Sequence, residues 1–242
     1  RNGNPNDSVF RRDALMAIVS PGNSERGQFM LAIPRPAYPR LPDRPVFPNQ
    51  WPDEVAPFVR RDLTPYYEAV MSLGRSILSA LAFGLGKSPN FFAKAYENPL
   101  GRGQMVYYPP MNKEDEQQER FGAASHTDFA MLTVLLQDMQ GGLKVLNQSD
   151  EWIEAPPLEG SLVCNIGDLL ERWTNGNLIS TKHRVINRNK TARYSIPVFC
   201  DPASKTVIDP ADFSSGIESY EKIAAGEHIE NRNRKNFAQY QK

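Results

Sequence analysis

The sequence predicts a mainly β fold with flanking helices, organised as a double-sheet jelly-roll barrel and propped by one long helix. Two observations support this prediction. After residue 101 the apolar pattern changes from helical to strand-like, and short β-rich runs alternate with turn signals such as Gly141-Gly142. Many short strands without helices between them are typical of a jelly roll. The predicted strands cover residues 104–108, 131–137, 142–147, 151–155, 161–165, 179–187 and 192–200.

The long helix is predicted just after a proline-rich region. Thr64 is a suitable N-cap, and Pro65 then takes the first helical position, where its missing N–H costs nothing. Apolar residues follow at helical spacing, and Gly84 or Gly86 ends the run. The apolar stripe, which we expect to pack on a sheet, comprises Tyr66, Val70, Leu73, Ile77, Leu81 and Phe83. A shorter helix is expected over residues 89–92.

Length and composition indicate how the chain is organised. Its 242 residues are enough for one large domain. We expect an irregular, proline-rich N-terminal segment at 1–60, the helical prop at 61–100, the jelly-roll core at 101–200 and a C-terminal tail at 201–242. Eight prolines between residues 34 and 57 exclude a helix or a central strand there. Residues 1–29 do not start with Met and show no strand pattern, so we expect a processed or truncated version of a longer protein.

Charge and cysteine content narrow the function classes. Lys and Arg together number 28, as do Asp and Glu, so the formal net charge is zero and neither a nucleic-acid nor an acidic-membrane partner is indicated. A small neutral or anionic ligand fits better. No apolar run approaches the ~20 residues of a membrane span, and no signal peptide opens the chain. Cys164 and Cys200 lie in apolar strand-like runs, which favours free thiols, a reducing compartment such as the cytoplasm, and no disulfide scaffold. We expect no oligomer.

Two of the three histidines can join an aspartate in a metal site. His126 and Asp128 are two positions apart and would share one face of an extended strand. His183 is the best candidate for a third ligand, because His228 lies in a charged run typical of a solvated surface. Such a set of two histidines and one carboxylate holds iron(II) while leaving other positions open. The alternative is a core histidine with an N-cap or turn aspartate.

A second polar pair suits an anion. Arg193 and Ser195 share a strand face, and a guanidinium beside a hydroxyl can grip a carboxylate at two points. If the strands of His183 and Arg193 are antiparallel neighbours, an odd-length loop such as 188–190 places Val185 opposite Arg193. The guanidinium would then start about 7 Å along the strand from the histidine. An even-length loop without a bulge would turn Arg193 outward.

Several motifs, taken together, are informative about the family. They are Tyr107-Tyr108-Pro109-Pro110, His126-Thr127-Asp128, Gly141-Gly142-Leu143, Asn165-Ile166-Gly167-Asp168, Thr174-Asn175-Gly176, Ser180-Thr181-Lys182-His183-Arg184-Val185 and Arg193-Tyr194-Ser195. In order and spacing they resemble the motifs of the iron(II)/2-oxoglutarate-dependent oxygenases of the isopenicillin N synthase-like group. The resemblance covers most of the chain from Asn49 onward.

The resemblance implies a single oxygenase domain built on a double-stranded β-helix, or cupin-like barrel, with the tail at 201–242 folded back near the barrel mouth. It implies that His126, Asp128 and His183 bind iron(II) and form the catalytic centre. O2 and a small molecule, as in secondary metabolism, would be substrates. A C–H bond would be oxidised by hydroxylation, desaturation or ring formation, with release of succinate and CO2.

The cosubstrate of this family is 2-oxoglutarate, and the resemblance assigns its binding to Arg193, Ser195 and Tyr108. One position departs from the family pattern. Val106 stands where family members often have an asparagine, two positions before the tyrosine. Plausible walls of the substrate site are Phe129, Tyr107, Phe199 and the two terminal segments, and the polar run 112–120 is either a solvated loop or a lid over the mouth.

Two other functions remain open at this stage. One is an iron oxidase that needs no 2-oxoglutarate, resembling isopenicillin N synthase or aminocyclopropane carboxylate oxidase, in which the Arg-x-Ser pair would bind a substrate carboxylate. The other is a non-enzymatic metal-binding or ligand-binding barrel.

Overall fold

A computed structural model describes the backbone of residues 28–32 and then residues 49, 51–110, 122–187, 190–214, 216 and 219–236. The described part contains strands, α-helices and two short 3-10 helices. In chain order these are β1 (Gln28–Ala32), α1 (Pro57–Gly84), a 3-10 helix (Ala93–Tyr96), β2 (Arg102–Tyr108), β3 (Ala123–His126), β4 (Leu132–Gln137), β5 (Leu143–Leu146), β6 (Trp152–Glu154), β7 (Val163–Ile166), α2 (Asp168–Trp173), β8 (His183–Val185), β9 (Arg193–Cys200), β10 (Val207–Ile208), a 3-10 helix (Pro210–Asp212), β11 (Ile223–Ala224) and α3 (Ala225–Asn236).

The strands form two larger antiparallel sheets. One has five strands in the order β1-β2-β9-β4-β7, and the other has four in the order β3-β8-β5-β6. From β2 to β9 the chain passes repeatedly from one sheet to the other, which is the connectivity of a double-sheet jelly roll. The predicted mainly β fold with flanking helices is therefore confirmed. Each predicted strand from 104–108 to 192–200 overlaps an observed one, although most observed strands are shorter.

Helix α1 packs on the outer face of the five-stranded sheet. Its buried residues are Val59, Leu63, Tyr67, Val70, Met71, Gly74, Leu78 and Ala82. They join one apolar core with Leu132 and Val134 of β4 and with Val198 and Cys200 of β9. A Cβ on Gly74 would lie 2.5 Å from Sγ of Cys200, so the absence of a side chain at this position allows the helix to approach the sheet.

The predicted start of the long helix was wrong. Helix α1 begins at Pro57, two turns before the expected Thr64-Pro65, and Pro65 lies inside it. Pro65 is exposed. Its missing N–H therefore leaves a backbone carbonyl free on the solvent side, where water can satisfy it. The predicted stripe was wrong at Leu73 and Phe83, which are exposed. The other four positions hold, because Val70 is buried and Tyr66, Ile77 and Leu81 pack against the core.

Three further elements differ from expectation. Strand β1 lies in the segment 1–60, which was expected to be irregular, and it pairs with β2. Helix α2 occupies residues that were interpreted as a turn and a loop between strands. The short helix expected at 89–92 is a turn, followed by the 3-10 helix Ala93–Tyr96. The expected loop or lid at 112–120 lies outside the described residues.

The two cysteines are free, as predicted. Cys200 is buried at the end of β9, whereas Cys164 is exposed on the edge strand β7. Burial raises the pKa of the Cys200 thiol to about 12.

Among the described helices, none combines the length and the apolar composition needed to cross a membrane.

Candidate metal centre

The three predicted metal ligands come together at one end of the barrel. His126 is the last residue of β3 and pairs across the sheet with His183, the first residue of β8. Nε2 of His126 lies 3.8 Å from Oδ1 of Asp128, and Nε2 of His183 lies 3.6 Å from the same oxygen. The three ligand atoms all lie within 4.8 Å of one another. Such a cluster could hold a metal ion.

Hydrogen bonds orient the two imidazoles. Nδ1 of His126 is 2.7 Å from the carbonyl oxygen of Ala124, and Nδ1 of His183 is 3.1 Å from that of Thr181. A carbonyl can only accept, so each Nδ1 carries the proton and each Nε2 keeps its lone pair for a metal. Burial, followed by the proximity of His183, lowers the pKa of His126. The neutral form that can bind a metal is thereby favoured.

The carboxylate is held in a similar way. Nδ2 of Asn165 donates to Oδ2 of Asp128 at 2.9 Å, which leaves Oδ1 facing the two imidazoles. The expectation that His126 and Asp128 share one strand was wrong, because β3 ends at His126. Asp128 is instead placed by the junction of β7 and α2, where the backbone N–H of Asp168 donates to its carbonyl at 2.8 Å.

Gly167 makes this junction possible. A Cβ on Gly167 would lie 2.1 Å from the carbonyl oxygen of Ala130 and 3.1 Å from that of Asp128. Any larger residue would push α2 away from the loop that carries the carboxylate.

A buried cation lies in the same cavity as the three clustered side chains. Arg193 is 0% exposed; its Nε donates to the carbonyl of Gly141 at 2.7 Å and its Nη2 to Oε1 of Gln137 at 3.2 Å. The guanidinium also lies 4.8 Å from the centre of the Tyr108 ring. Nη1 has no hydrogen-bond partner, and within the described residues no carboxylate forms an ion pair with Arg193. Burial lowers the pKa of Arg193, and the nearby Tyr108 and Asp138 offset this effect only in part.

The cavity has a volume of about 180 Å³ and lies between the two sheets. Ser195 and Tyr108 line it together with Arg193, and His126, Asp128 and His183 line it too. All six predicted site residues are therefore brought to one cavity. Of the predicted substrate walls, Phe199 lines this cavity. Tyr107 instead packs against Tyr194, and Phe129 lies beneath Arg232.

The condition under which His183 and Arg193 would lie on antiparallel neighbouring strands is not met. Strand β8 belongs to the four-stranded sheet and β9 to the five-stranded one, so the two strands are not neighbours. Arg193 pairs with Tyr108 of β2. Arg193 faces the cavity because its sheet lies opposite that of His183. The length of the loop between β8 and β9 does not decide which way Arg193 points.

His228 was wrongly expected at a solvated surface. It is 7% exposed on helix α3, and Nε2 has no partner among the described residues. The same helix carries Arg232, whose Nη2 bonds Oγ1 of Thr127 at 3.1 Å and Oδ2 of Asp168 at 2.8 Å. The C-terminal helix therefore contacts the loop that carries Asp128.

Sequence reasoning missed four residues of the site. Asn165 and Asp168 belong to a motif that was noticed but given no role. Thr133 could have been found, since it lies two residues before Leu135 on the cavity-facing side of β4. Arg232 had no local signal, because its contacts join residues that lie far apart in the chain.

Fold and site together define a jelly-roll protein with a cluster of two histidines and one carboxylate beside a buried arginine. The family model of the 2OG-Fe(II) oxygenase superfamily matches residues 103–202. The chain belongs to this superfamily.

Known proteins of the superfamily resemble the chain in sequence and structure. A homoarginine-6-hydroxylase of Glycine max is 35% identical over 198 residues, which cover 78% of this chain and 60% of that protein. A crystal structure of a Neurospora crassa protein in complex with alpha-KG and thymine has a TM-score of 0.77 at 26% identity, covering 98% of this chain and 72% of that one. A putative 2OG-Fe(II) oxygenase family protein from Caulobacter crescentus has the same TM-score at 30% identity, covering 89% and 72%. The chain spans less than two thirds of the Glycine max protein.

Proposed function

We propose that the protein is an iron(II)- and 2-oxoglutarate-dependent dioxygenase that oxidises a C–H bond of a small molecule. In a hydroxylation, R–H, O2 and 2-oxoglutarate give R–OH, succinate and CO2. Desaturation and oxidative ring formation use the same cosubstrates. Iron and 2-oxoglutarate supply the oxidising power, and the protein holds and orients the reactants.

One observation supports this proposal above the others. The cluster of His126, Asp128 and His183 shares one cavity with a buried arginine whose Nη1 has no hydrogen-bond partner and which forms no ion pair with a carboxylate among the described residues. Isolated buried charges are costly, so a buried cation of this kind indicates an anionic ligand. A dicarboxylic 2-oxo acid suits both the ligand cluster and the arginine. Its 2-oxo acid end can bind a metal, and its distal carboxylate can bind Arg193.

The roles of the residues follow from their places in the cavity. His126, Asp128 and His183 would hold the metal through two nitrogens and one oxygen, a set that suits iron(II). Arg193 would bind the distal carboxylate through Nη1, with the Ser195 hydroxyl as a second donor. Tyr108 packs under the guanidinium and fixes its plane. Val106 lines the same cavity and offers no hydrogen bond where an asparagine is frequent in the family.

The substrate is proposed to be a small molecule. No nucleic-acid or membrane partner is proposed for the protein. The related plant proteins carry the names of homoarginine-6-hydroxylases, and the Neurospora crassa protein was crystallised with thymine. The cavity walls include apolar side chains such as Leu135, Leu143 and Val145. We propose that residues 1–242 belong to one oxygenase domain that acts as a monomer. The unpaired cysteines favour the cytoplasm as its compartment.

The proposal is tested by measuring O2 uptake and succinate formation by the iron-loaded protein. The panel of compounds would contain amino acids including homoarginine, nucleobases, alkaloid-like amines, flavonoids and terpenoids. We expect one succinate for each substrate oxidised. Oxidation at full rate without any 2-oxo acid would instead support the iron oxidase that needs no 2-oxoglutarate. Absence of O2 uptake with every compound would support a non-enzymatic barrel.

A further inference from the structure

The inner face of the five-stranded sheet is arranged in rows across neighbouring strands. In one row Thr133 of β4 pairs with Asn165 of β7 on one side and with Phe199 of β9 on the other. All three side chains line the cavity. Because Asn165 donates to Asp128, this row lies at the level of the metal-ligand cluster.

Within this row, the Thr133 hydroxyl is buried without a hydrogen bond. Thr133 is 3% exposed, and Oγ1 has no partner among the described residues. Buried hydroxyls in folded proteins are nearly always paired, so an exception needs a reason. Thr174 shows the usual arrangement, since it is equally buried and its Oγ1 donates to the carbonyl of Leu170 at 2.8 Å.

The opposite end of the cavity already has its anion-binding groups. Arg193 pairs with Tyr108 across the sheet, and Ser195 pairs with Gln137, four residues along β4 from Thr133. Four residues of a strand span about 13 Å. The two unpaired donors, Nη1 of Arg193 and Oγ1 of Thr133, therefore serve opposite ends of one cavity.

We propose that the Thr133 hydroxyl donates a hydrogen bond to the carboxylate of 2-oxoglutarate that lies at the metal end. This inference rests on the proposed function. The next row is apolar, with Leu135, Val163 and Pro197, and no atom of the described residues accepts a hydrogen bond from the Thr133 hydroxyl. A charged oxygen is the acceptor that a buried hydroxyl gains most from. Thr133 thus acts as a binding residue for the cosubstrate, in addition to Arg193 and Ser195.

The test uses Thr133→Val, which keeps the shape of the side chain and removes the hydroxyl. The dissociation constant of 2-oxoglutarate would be measured by calorimetry on the Mn(II)-loaded protein, which prevents turnover. We expect Thr133→Val to weaken binding roughly 10-fold, and Thr133→Ser to restore most of it, because serine retains the donor. The affinity for Mn(II) alone should stay unchanged.

Thermal unfolding without ligand gives a second readout with the opposite sign. A buried hydroxyl without a hydrogen bond destabilises the folded state, because it has lost its contact with water. Removing it should therefore leave the Tm of Thr133→Val equal to or above that of the wild type. The matched control is Thr174→Val, which deletes a hydroxyl that the fold uses. That variant should lose Tm and keep the wild-type affinity for 2-oxoglutarate.

The outcomes separate this inference from the function on which it rests. An unchanged 2-oxoglutarate affinity in Thr133→Val would show that water satisfies the hydroxyl and would overturn the inference alone. A loss of both Tm and affinity would indicate a structural role and would also overturn it. Failure of the wild-type, metal-loaded protein to bind 2-oxoglutarate would overturn the proposed function together with the inference.

Discussion

Single residues at the metal centre owe their chemistry to their hydrogen-bond partners. The carbonyls of Ala124 and Thr181 fix the two imidazoles, and Asn165 occupies one oxygen of Asp128. Partners of this kind commonly change metal affinity roughly 10–100-fold when removed. The affinity of the site for a metal is therefore set by the residues that hydrogen-bond to the metal-ligating side chains as well as by those side chains themselves.

At this scale the first prediction concerns the ligand set. Replacing His126, Asp128 or His183 by Ala should abolish iron-dependent turnover, because two remaining groups cannot hold the metal firmly. Far-ultraviolet circular dichroism should show the fold retained, and equilibrium dialysis should show the loss of bound iron. A His183→Ala variant that binds one equivalent of iron and still turns over would disprove the assignment.

A second prediction concerns Arg193. A charge-assisted bond to a carboxylate contributes roughly 1.5–3 kcal/mol. Arg193→Ala should therefore raise the 2-oxoglutarate concentration needed for half-maximal rate by roughly one to two decades. Arg193→Lys should restore activity only partly, since a point charge lacks the planar fork.

Iron binding provides the control for Arg193. Because the guanidinium is not a metal ligand, Arg193→Ala should bind iron as the wild type does. An Arg193→Ala variant with an unchanged 2-oxoglutarate requirement would assign the residue to a substrate carboxylate instead.

Among the secondary-structure elements, helix α3 connects the C-terminal part of the chain to the metal centre. Arg232 bonds Thr127 and Asp168, and its guanidinium lies 4.7 Å from the centre of the Phe129 ring. Asp168 in turn accepts from Oγ of Ser180 at 2.8 Å, in the segment that leads to His183. One helix thus braces the loops of two of the proposed metal ligands.

We predict that Arg232→Ala lowers the free energy of unfolding by about 1–3 kcal/mol, since it leaves Oδ2 of the partly buried Asp168 without its cation. It should also weaken metal binding. Arg234→Ala on the same helix is the matched control, because Arg234 forms an exposed pair with Glu230 at 2.7 Å. Its effect should stay within about 0.5 kcal/mol. Equal urea midpoints for the two variants would contradict a bracing role for Arg232.

Helix α1 depends on close approach to the sheet, and Gly74 tests this. Gly74→Ala places a methyl group against Cys200 and should destabilise the protein by about 1–3 kcal/mol in urea unfolding. Adding Cys200→Ala should recover much of the loss, because it removes the clashing sulfur. Gly84→Ala is the control; its Cβ meets nothing within 4 Å, so the change should be neutral or slightly stabilising. A tolerated Gly74→Ala would mean that the helix can shift outward at little cost.

At the scale of the whole molecule, the burial of His228 allows a prediction of how the free energy of unfolding depends on pH. Burial, with a smaller contribution from Arg172, lowers the pKa of His228 to about 4 from its ordinary 6.5. Between these values the unfolded chain binds the proton and the folded protein does not, so stability falls as the pH drops from 6.5 towards 4. The full shift corresponds to on the order of 3 kcal/mol.

Urea unfolding at several pH values checks this prediction. His228→Gln should remove this part of the acid sensitivity, so the stability difference between variant and wild type should change between about pH 7 and about pH 4. A difference that does not depend on pH would refute the buried neutral imidazole.

Much of the overall architecture was predictable because local patterns carry it. The alternation in 192–200 placed Arg193 and Ser195 on one face, and both line the cavity. The turn signals separated most strands correctly. The start of α1 was not predictable in this way, since Pro57 and Pro65 both suit a first helical turn. Only packing against the sheet shows which one begins the helix.

The sequence by itself predicted the double-sheet architecture, because strand periodicity and turn signals are local properties. It also offered His126, Asp128 and His183 as candidate metal ligands, and Arg193 with Ser195 as a candidate anion-binding pair, through their residue chemistry and the motifs around them. The tertiary structure alone decided that His183 and Arg193 face each other from opposite sheets, that His228 is buried and that Arg232 reaches the metal-site loop. These features depend on contacts between segments far apart in the chain. Such contacts are set by how the sheets and helices pack together, and no pattern within one segment records them.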